Sequence, residues 1–419
     1  STFFRNNLFT LCHLIYTDTF YMKRKWIRWV SWILLTPIIL FVILMVLLYV
    51  PPVQNLLRRE VTAYASKATG MQIQVERIDL RFPLNLLVRG VEVIQQPDTL
   101  LSLESLNVRV QAWPLIKGKV EVDEVTLSRV AVNSADLMEG MNIKGVLGRF
   151  FLQSHGVDLS NELAVINQVE LSDTHVQLLM NDTTTTPKDT TASAPINWKV
   201  ALHQLKLKNV SFSMQLPADS MRMAAHIGEA AIDDAQADLK NQYYDLKKFL
   251  LSGTSVSYDT GTAQPAEGFD ASHIAVRDIR IALDSLLYKG RDMNAVIREF
   301  TMNERSGLSV TSLTGRAYSN DSVICVPGLK LNTPHSEIDL SAHTYWELVN
   351  IPTTGRLSAR LNAYIGKEDV MLFAGGLPES FKEAYPFRPL VIRAGTDGNL
   401  KEMQISRFTV DLPGAFALE

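Results

Sequence analysis

Apolar and polar residues alternate along most of the chain after residue 70, a pattern typical of β-strands with one dry and one wet face. In the stretch Leu205 to Met214 (LKLKNVSFSM) the alternation changes phase at the doublet Lys208-Asn209. A slip of one residue turns the following apolar side chains to the opposite face, unless a β-bulge absorbs the extra residue. We therefore expect a β-bulge at this doublet.

The same arrangement recurs along the chain: two apolar positions, a polar doublet, then further alternating apolar positions. The other doublets are Glu76-Arg77, Asp123-Glu124, Ser172-Asp173, Asp233-Asp234 and Arg277-Asp278, with a further slip before Val130. Their irregular spacing excludes a solenoid of fixed period. Because the residue types differ between copies, we expect any polar pair to serve at these positions.

Residues 71–180 are predicted to form a β region with short helices within 135–153, and residues 196–419 to continue it, truncated at the C-terminus. Pro51-Pro52 and Gly70 bound a predicted amphipathic helix over 51–70. The Thr-rich segment 181–195 has no apolar pattern and is predicted to be an exposed loop. A last helical segment, broken at Gly375-Gly376, is expected within 367–385. Residues 243–251 fit either a helical turn or a strand.

An uncharged apolar segment runs from Trp29 to Val50, long enough to cross a bilayer as a helix. The basic residues before it, Lys23, Arg24, Lys25 and Arg28, favour a cytoplasmic N-terminus. A cleaved signal peptide fits less well, because the apolar region is too long and no small-x-small cleavage site follows it. We predict a signal-anchor helix over 22–50. Residues 1–21 are either an unstructured tail or the product of a misassigned start.

The composition of the chain excludes several classes of function. The chain of 419 residues is 47% hydrophobic and 20% charged, with a formal net charge of -3, so it has no basic surplus for binding nucleic acid. Its two cysteines lie on opposite sides of the predicted anchor, which argues against a disulfide. The eight histidines are scattered, and no phosphate loop or nucleophile motif appears. We predict a non-enzyme without a cofactor or a metal.

The strands have more apolar surface than the few predicted helices can cover. Such a sheet either packs against a second sheet or leaves a long apolar groove, and the strand pattern alone favours a β-sandwich. The candidate lining residues are Ile73, Val75, Ile78, Leu80, Val120, Val122, Val125, Leu127, Leu205, Leu207, Val210, Phe212, Met214, Ile274, Val276, Ile279 and Ile281.

A resemblance changes this balance in favour of the groove. The basic start at Met22, the helix ending at Thr69-Gly70 and the strand from Ile73 to Leu80 (IQVERIDL) resemble the start of the AsmA-like superfamily. The segments VRGVEV (88–93) and WPLIKGKVEVDEVTL (113–127) continue the likeness, which is greatest to the TamB members of Bacteroides-like bacteria. It covers residues 22–132, and beyond them only the repeated strands are similar.

The resemblance implies an inner-membrane-anchored protein, single-pass, with its bulk in the periplasm and a long, twisted, antiparallel and U-shaped β-sheet. The apolar lining would then carry phospholipid acyl chains between the inner and outer membranes and support outer-membrane integrity. The alternative is an assembly or secretion factor for outer-membrane β-barrel proteins that works with an Omp85-type barrel partner through its strand edges. Neither reading involves nucleic acid.

Overall fold

A computed structural model describes residues 46, 50–81, 84–95, 97–111, 114, 121–134, 140–158, 161–180, 197–399 and 401–419. The predicted extension 1–21, nearly all of the predicted anchor 22–50, the loop 181–195 and the lining residue Val120 lie outside these residues. Among the described residues, no helix combines the length and the apolar character needed to cross a membrane.

The longest described helix, α1 (Pro51–Thr69), is bounded as its sequence predicts. Proline occupies its first positions, and Gly70 ends it in the left-handed conformation at a φ of 71° while donating its amide to the Ser66 carbonyl. Three short helices follow later in the chain: α2 (Trp346–Asn350), α3 (Lys367–Leu372) and α4 (Glu379–Ala384). The last two fall on either side of Gly375-Gly376, within the helical segment expected over 367–385.

The protein is mainly β, and its described strands belong to a single sheet of 19 strands. They are β1 (Gln72–Arg81), β2 (Asn85–Gln95), β3 (Asp98–Val110), β4 (Val122–Asn133), β5 (Met141–Asp158), β6 (Leu163–Met180), β7 (Lys199–Leu216), β8 (Met221–Asp238), β9 (Tyr243–Asp259), β10 (His273–Lys289), β11 (Asp292–Glu304), β12 (Ser309–Val310), β13 (Ser312–Ser319), β14 (Val323–Asn332), β15 (Glu337–Tyr345), β16 (Leu357–Ile365), β17 (Leu390–Gly398), β18 (Met403–Leu412) and β19 (Phe416–Leu418).

Each described strand pairs with the next one in sequence, except that the short β12 pairs with β11 alone, and β11 also pairs directly with β13. The described pairs are antiparallel with one exception, because β6 and β7 run parallel. β7 therefore begins beside the start of β6, where Lys199 pairs with Leu163. The expected antiparallel sheet is correct except at this pair.

The prediction of short helices within 135–153 is wrong where the structure describes that segment, because Met141–Asp158 forms β5. One of its glycines sits where a side chain would collide with the next strand. A Cβ at Gly148 would lie 2.7 Å from the Cβ of Asp173 and 3.0 Å from its carbonyl oxygen. This glycine therefore marks close contact between β5 and β6. Residues 243–251 are likewise strand, in β9.

The sandwich favoured by the strand pattern is not what the described residues form. In a sandwich, the large apolar residues of the inner faces are buried between two sheets. Here many large apolar side chains on the strands stay exposed, among them Val132 at 40%, Phe212 at 40% and Leu250 at 42%. The buried hydrophobic residues of the described strands are few and often small, such as Ala230, Ala282 and Ala363. No second sheet covers either face of the first in the described part.

One edge of the sheet is covered by α1. Gln54 Nε2 donates to the Leu80 carbonyl oxygen at 3.1 Å, and Arg58 Nη1 donates to the Glu76 carbonyl oxygen at 2.8 Å. Near the other end of β1, the Ile73 amide donates to Ser66 Oγ at 3.1 Å. Side chains of the helix thus form hydrogen bonds with backbone groups of the edge strand that could otherwise pair with another strand.

Candidate functional site

Apolar residues line up in continuous rows across the sheet. Residues paired on neighbouring strands point to the same face, so the pairing register of each strand decides which side chains are neighbours. The row through Leu207 runs from β1 to β11 and contains Ile78, Val88, Leu106, Leu127, Phe150, Leu171, Leu207, Ala230, Leu251, Ile281 and Phe300. Every member of this row is apolar.

Next to it, the row through Leu205 crosses the same strands. Its members are Leu80, Leu86, Val108, Val125, Leu152, Val169, Leu205, Ile232, Phe249, Leu283 and Ile297. These two rows form one apolar band, two residues wide, that continues without a polar interruption from β1 to β11. Apart from Ile78 and Ala230, the members of the Leu207 row are only half-buried.

A second apolar band lies on the other side of the polar doublets. Its row through Phe212 runs from β1 to β10 and contains Ile73, Val93, Leu101, Val132, Gly145, Val176, Phe212, Ala225, Val256 and Val276. The row through Val210 contains Val75, Val91, Leu103, Val130, Leu147, Thr174, Val210 and Ile227. A shorter row joins Met214 with Ile143, Leu178, Met223, Tyr258 and Ile274.

The two bands are separated by a line of residues that interrupts the regular pairing of each strand, which we name the crease. It consists of Glu76, Gly90, Glu104, Arg129, Gly148, Asp173, Asn209, Gly228, Gly253 and Asp278. Pairing resumes on its far side in the same register for β1 to β8, because both strands of each pair leave one residue unpaired at the crease. The expected β-bulge at Lys208-Asn209, with two residues opposite one, is therefore wrong. The polar doublet at Lys208-Asn209 is one point on this line.

Positive φ angles explain the residue types at the crease. Asp173, Asn209 and Asp278 have φ values of 51°, 52° and 54°, and Gly90 and Gly253 have 59° and 58°. Glycine enters this left-handed region freely, and Asn and Asp tolerate it better than other residues. Our expectation that any polar pair would serve is therefore wrong for the second residue of most doublets. Arg129, with a φ of 47°, is the exception on the crease.

Polar contacts connect neighbouring residues of the crease. Asn209 Nδ2 donates to Asp173 Oδ1 at 2.7 Å across the parallel pair, and Arg129 forms an ion pair with Glu104. The line beside it is also polar, containing Arg77, Arg89, Ser105, Ser128, Arg149, Ser172, Lys208, Glu229 and Ser252. Leu207 and Val210 are half-buried, whereas Lys208 and Asn209 between them are exposed. On each strand from β4 to β8, two successive residues separate the bands. Both are polar, except that glycine replaces one of them in β5 and in β8.

Two other doublets interrupt their strands at positions outside the crease. Asp234 has a φ of 52° and faces His203, whose Nδ1 lies 3.1 Å from Asp234 Oδ1. At Asp123 the register shifts by one, because Glu124 pairs with Arg109 while Val122 pairs with Val110. A shift of this kind is a β-bulge.

Most of the predicted lining residues fall in the bands. Ile78, Leu80, Val125, Leu127, Leu205, Leu207 and Ile281 belong to the first band, and Ile73, Val75, Val210, Phe212, Met214, Ile274 and Val276 belong to the second. Val122 pairs with Val110 at the start of β4, and Ile279 pairs with Thr254 beside the crease. Sequence reasoning omitted the members on the remaining strands, such as Leu106 and Phe150, although their alternation was visible.

Comparison with known proteins adds no relative, since neither a family model nor a curated protein matches this chain. The likeness to the AsmA-like superfamily rests on the quoted motifs alone and stays a prediction.

Proposed function

We propose that this chain is a membrane-anchored periplasmic protein that moves phospholipid between the inner and outer membranes along its apolar bands. The observation that carries the proposal is the continuity of the first band, which crosses the strands from β1 to β11 with no polar member. Neighbouring strands lie about 4.8 Å apart, so ten steps give about 48 Å of apolar path. That exceeds the hydrocarbon thickness of a bilayer, about 30 Å.

Energetics favour such a path. Each CH₂ group moved from lipid into water costs about 0.8 kcal/mol, so a chain of sixteen carbons meets a barrier of roughly 12 kcal/mol. Along the band, side chains of Leu, Val, Ile and Phe replace the apolar contacts that an acyl chain makes inside a bilayer. Because the large side chains in the bands are not covered by a second layer, acyl chains can reach them.

The crease supports a curved sheet with both bands on its inner face. An extra residue in the left-handed conformation bends a strand and restores the facing of its side chains beyond the bend. When neighbouring strands bend along one line, the sheet folds along that line. We infer that the two apolar bands then face each other across a groove, with the polar doublets at the bend.

Photocrosslinking in cells tests the proposal. A photoreactive residue replaces Leu207 or Val93, one in each band, and the matched controls are Lys206 and Glu92, their neighbours on the opposite face. We expect covalent phospholipid, detected by mass spectrometry, at Leu207 and Val93 and none at the two controls. Capture at Leu207 and Glu92 would contradict the shared face, and no capture at any position in folded protein would overturn lipid carriage.

A second candidate function is assembly of outer-membrane β-barrel proteins with a barrel partner of the Omp85 type. It is favoured by the outer edge of β18: β17 pairs along the inner edge of this strand, whereas among the described strands only β19 pairs along the outer edge, and only at Val410 to Leu412. Ile405 is 61% exposed on this edge. An open, apolar edge is suited to adding an extended segment of another chain.

Two variants separate the candidates. Leu207→Glu places a charge in the first band, and Ile405→Lys places one at the open edge, where lysine discourages strand addition. Lipid carriage predicts that only Leu207→Glu reduces phospholipid transfer to the outer membrane. Assembly through the edge predicts that only Ile405→Lys lowers the amount of folded outer-membrane barrel protein.

A further inference from the structure

A cavity with a volume of about 660 Å³ lies over β7 to β10. Three consecutive residues of each of these strands line it, and the outer two, spaced i and i+2, have their side chains on one face of the sheet. These outer pairs are Ser211 and Ser213, Ala224 and His226, Ser255 and Ser257, and Ala275 and Arg277. The middle residues, Phe212, Ala225, Val256 and Val276, belong to the second band, and their side chains alternate to the other face. The strands on either side contribute His175 and Arg305, which lie in line with the outer residues, so the cavity opens on the face away from the side chains of the band.

Donor groups surround this cavity. Nδ1 of His226 lies 3.0 Å from Ser211 Oγ, which fixes the imidazole ring beside the hydroxyl. His175, on the neighbouring strand, lies in the same cross-strand line as Ser211 and His226. Two arginines, Arg277 and Arg305, complete the lining. Arginine presents several N–H groups in a planar fork, and serine hydroxyls also donate, so the cavity is rich in hydrogen-bond donors.

Nearby carboxylates leave this positive charge largely uncompensated. Asp278 lies 4.0 Å from Arg277, and both side chains are exposed, so solvent screens that pair. Glu304 is directed elsewhere, because its carboxylate accepts the amides of Ser306 at 2.6 Å and Ala275 at 3.2 Å. Burial opposes the charge on Glu304, but these hydrogen bonds outweigh it and lower its pKa. Within the described residues, no carboxylate lies within ion-pair distance of Arg305.

We propose that this cavity binds a phosphate-bearing ligand, held by Arg277 and Arg305 with Ser211 and His226 as further partners. Arginine and phosphate match in geometry and charge, and such charge-assisted hydrogen bonds are stronger than neutral ones. The volume is within the range of small-molecule sites and leaves room for more than a bare phosphate ion. The ligand is a phosphate ester, either free or as the headgroup of a lipid. Because the cavity lies on the opposite face from the bands, it is independent of the proposed lipid path.

Calorimetric titration of the full chain in a nonionic detergent tests the site with two probes, glycerol 3-phosphate and dihexanoyl phosphatidylglycerol. We expect at least one to bind, with an affinity that falls at least tenfold in the double variant Arg277→Gln and Arg305→Gln. Arg393→Gln is the matched control, since Arg393 is an arginine of β17 that contacts Tyr364 outside the cavity. Tighter binding of glycerol 3-phosphate identifies a free phosphate ester, and tighter binding of the lipid identifies a headgroup.

Two results would overturn the proposal: no binding of either probe to the wild-type chain, or equal affinities of the wild type and the double variant. Ser211→Ala and His226→Gln provide an independent check in case the double variant does not fold. Each removes one hydrogen-bonding partner, and each is expected to weaken binding several-fold while leaving the circular dichroism spectrum unchanged. If no lipid is captured at Leu207 while a probe still binds to the cavity, only the proposed lipid path is overturned, and the phosphate site stands.

Discussion

Single residues at the crease hold backbone conformations that most side chains avoid. Asn209 combines a φ of 52° with a hydrogen bond to Asp173, and Asp173 has the same left-handed conformation on the neighbouring strand. Asn and Asp occupy this region because a short polar side chain can hydrogen-bond locally. The polar character of the doublets is thus a consequence of backbone geometry as much as of exposure to solvent.

Replacing Asn209 tests this explanation. Asn209→Ala is expected to lower the free energy of unfolding by about 1 kcal/mol or more, because a Cβ is disfavoured at this φ and the bond to Asp173 is lost. Asn209→Gly is expected to cost less, since glycine removes the steric penalty. Urea unfolding measures both, with the exposed neighbour Lys208→Ala as control. Equal losses for Ala and Gly would show that the left-handed conformation is not the cause.

Asp270 makes the loop between β9 and β10 sensitive to acid. Backbone amides of Ala266 and Ser272 donate to its carboxylate, as does His273, and together they lower the pKa of Asp270 to about 2. A carboxylate whose pKa is lowered on folding contributes stability above its unfolded value of about 3.9, and loses it as the pH falls towards 2. Asp270→Asn removes the charge at every pH.

We therefore expect hydrogen exchange of residues 260–272 to change little between pH 7 and pH 4 in the wild type, after correction for the intrinsic rate. Protection should then fall as the pH approaches 2. In Asp270→Asn the same segment should exchange faster throughout, without the additional loss in acid. An identical acid profile in both proteins would assign the effect to another group. Exchange in β16, which Asp270 does not contact in the described structure, is the internal control.

At the scale of elements, the sequence predicted most of what depends on local chemistry. The proline start and Gly70 end of α1 were readable, and the phase slip at Lys208-Asn209 located a left-handed residue, Asn209, in β7. The error at β5 arose because Gly148 is required by its contact with β6, and such contacts are invisible in a single sequence. The parallel pairing of β6 with β7 was missed for the same reason, since register depends on tertiary partners.

The apolar bands were only partly predictable. Alternation identified the lining residues of single strands such as Leu205 and Leu207, because the period of a strand is local. That these residues align with Leu127 and Ile281 follows from the register of every intervening pair. The phosphate cavity gave no sequence signal, since Arg277 and Arg305 come together only when β10 and β11 pair.

The contact between α1 and β1 protects one edge of the sheet. Ser66→Ala removes the acceptor of the Ile73 amide, and a hydrogen bond of this kind is worth about 1 kcal/mol. Exchange of the Ile73 amide is therefore expected to accelerate about fivefold, measured by NMR or mass spectrometry. Lys67→Ala, an exposed change on the same helix, serves as the control. Unchanged exchange at Ile73 would mean that α1 does not hold the edge in solution.

For the whole molecule, the decisive property is the continuity of the first band from β1 to β11. If lipid moves along the band, a charge at any point interrupts the entire path, because an acyl chain cannot pass a buried carboxylate without losing apolar contact. If instead the sheet binds lipid at separate, independent positions, a single charge removes only one of them. The two mechanisms therefore differ in how the effect depends on position.

Three variants in the Leu207 row test this difference: Leu106→Glu in β3, Leu207→Glu in β7 and Ile281→Glu in β10. A continuous path predicts that each alone reduces phospholipid transfer to the outer membrane, measured by pulse labelling, by a similar large factor. Lys206→Glu, beside Leu207 on the opposite face, should leave transfer unchanged. Small effects that become large only when the three changes are combined would favour separate binding positions. Because the bands have no second layer over them, these surface-accessible changes are expected to leave the strands folded, which circular dichroism verifies.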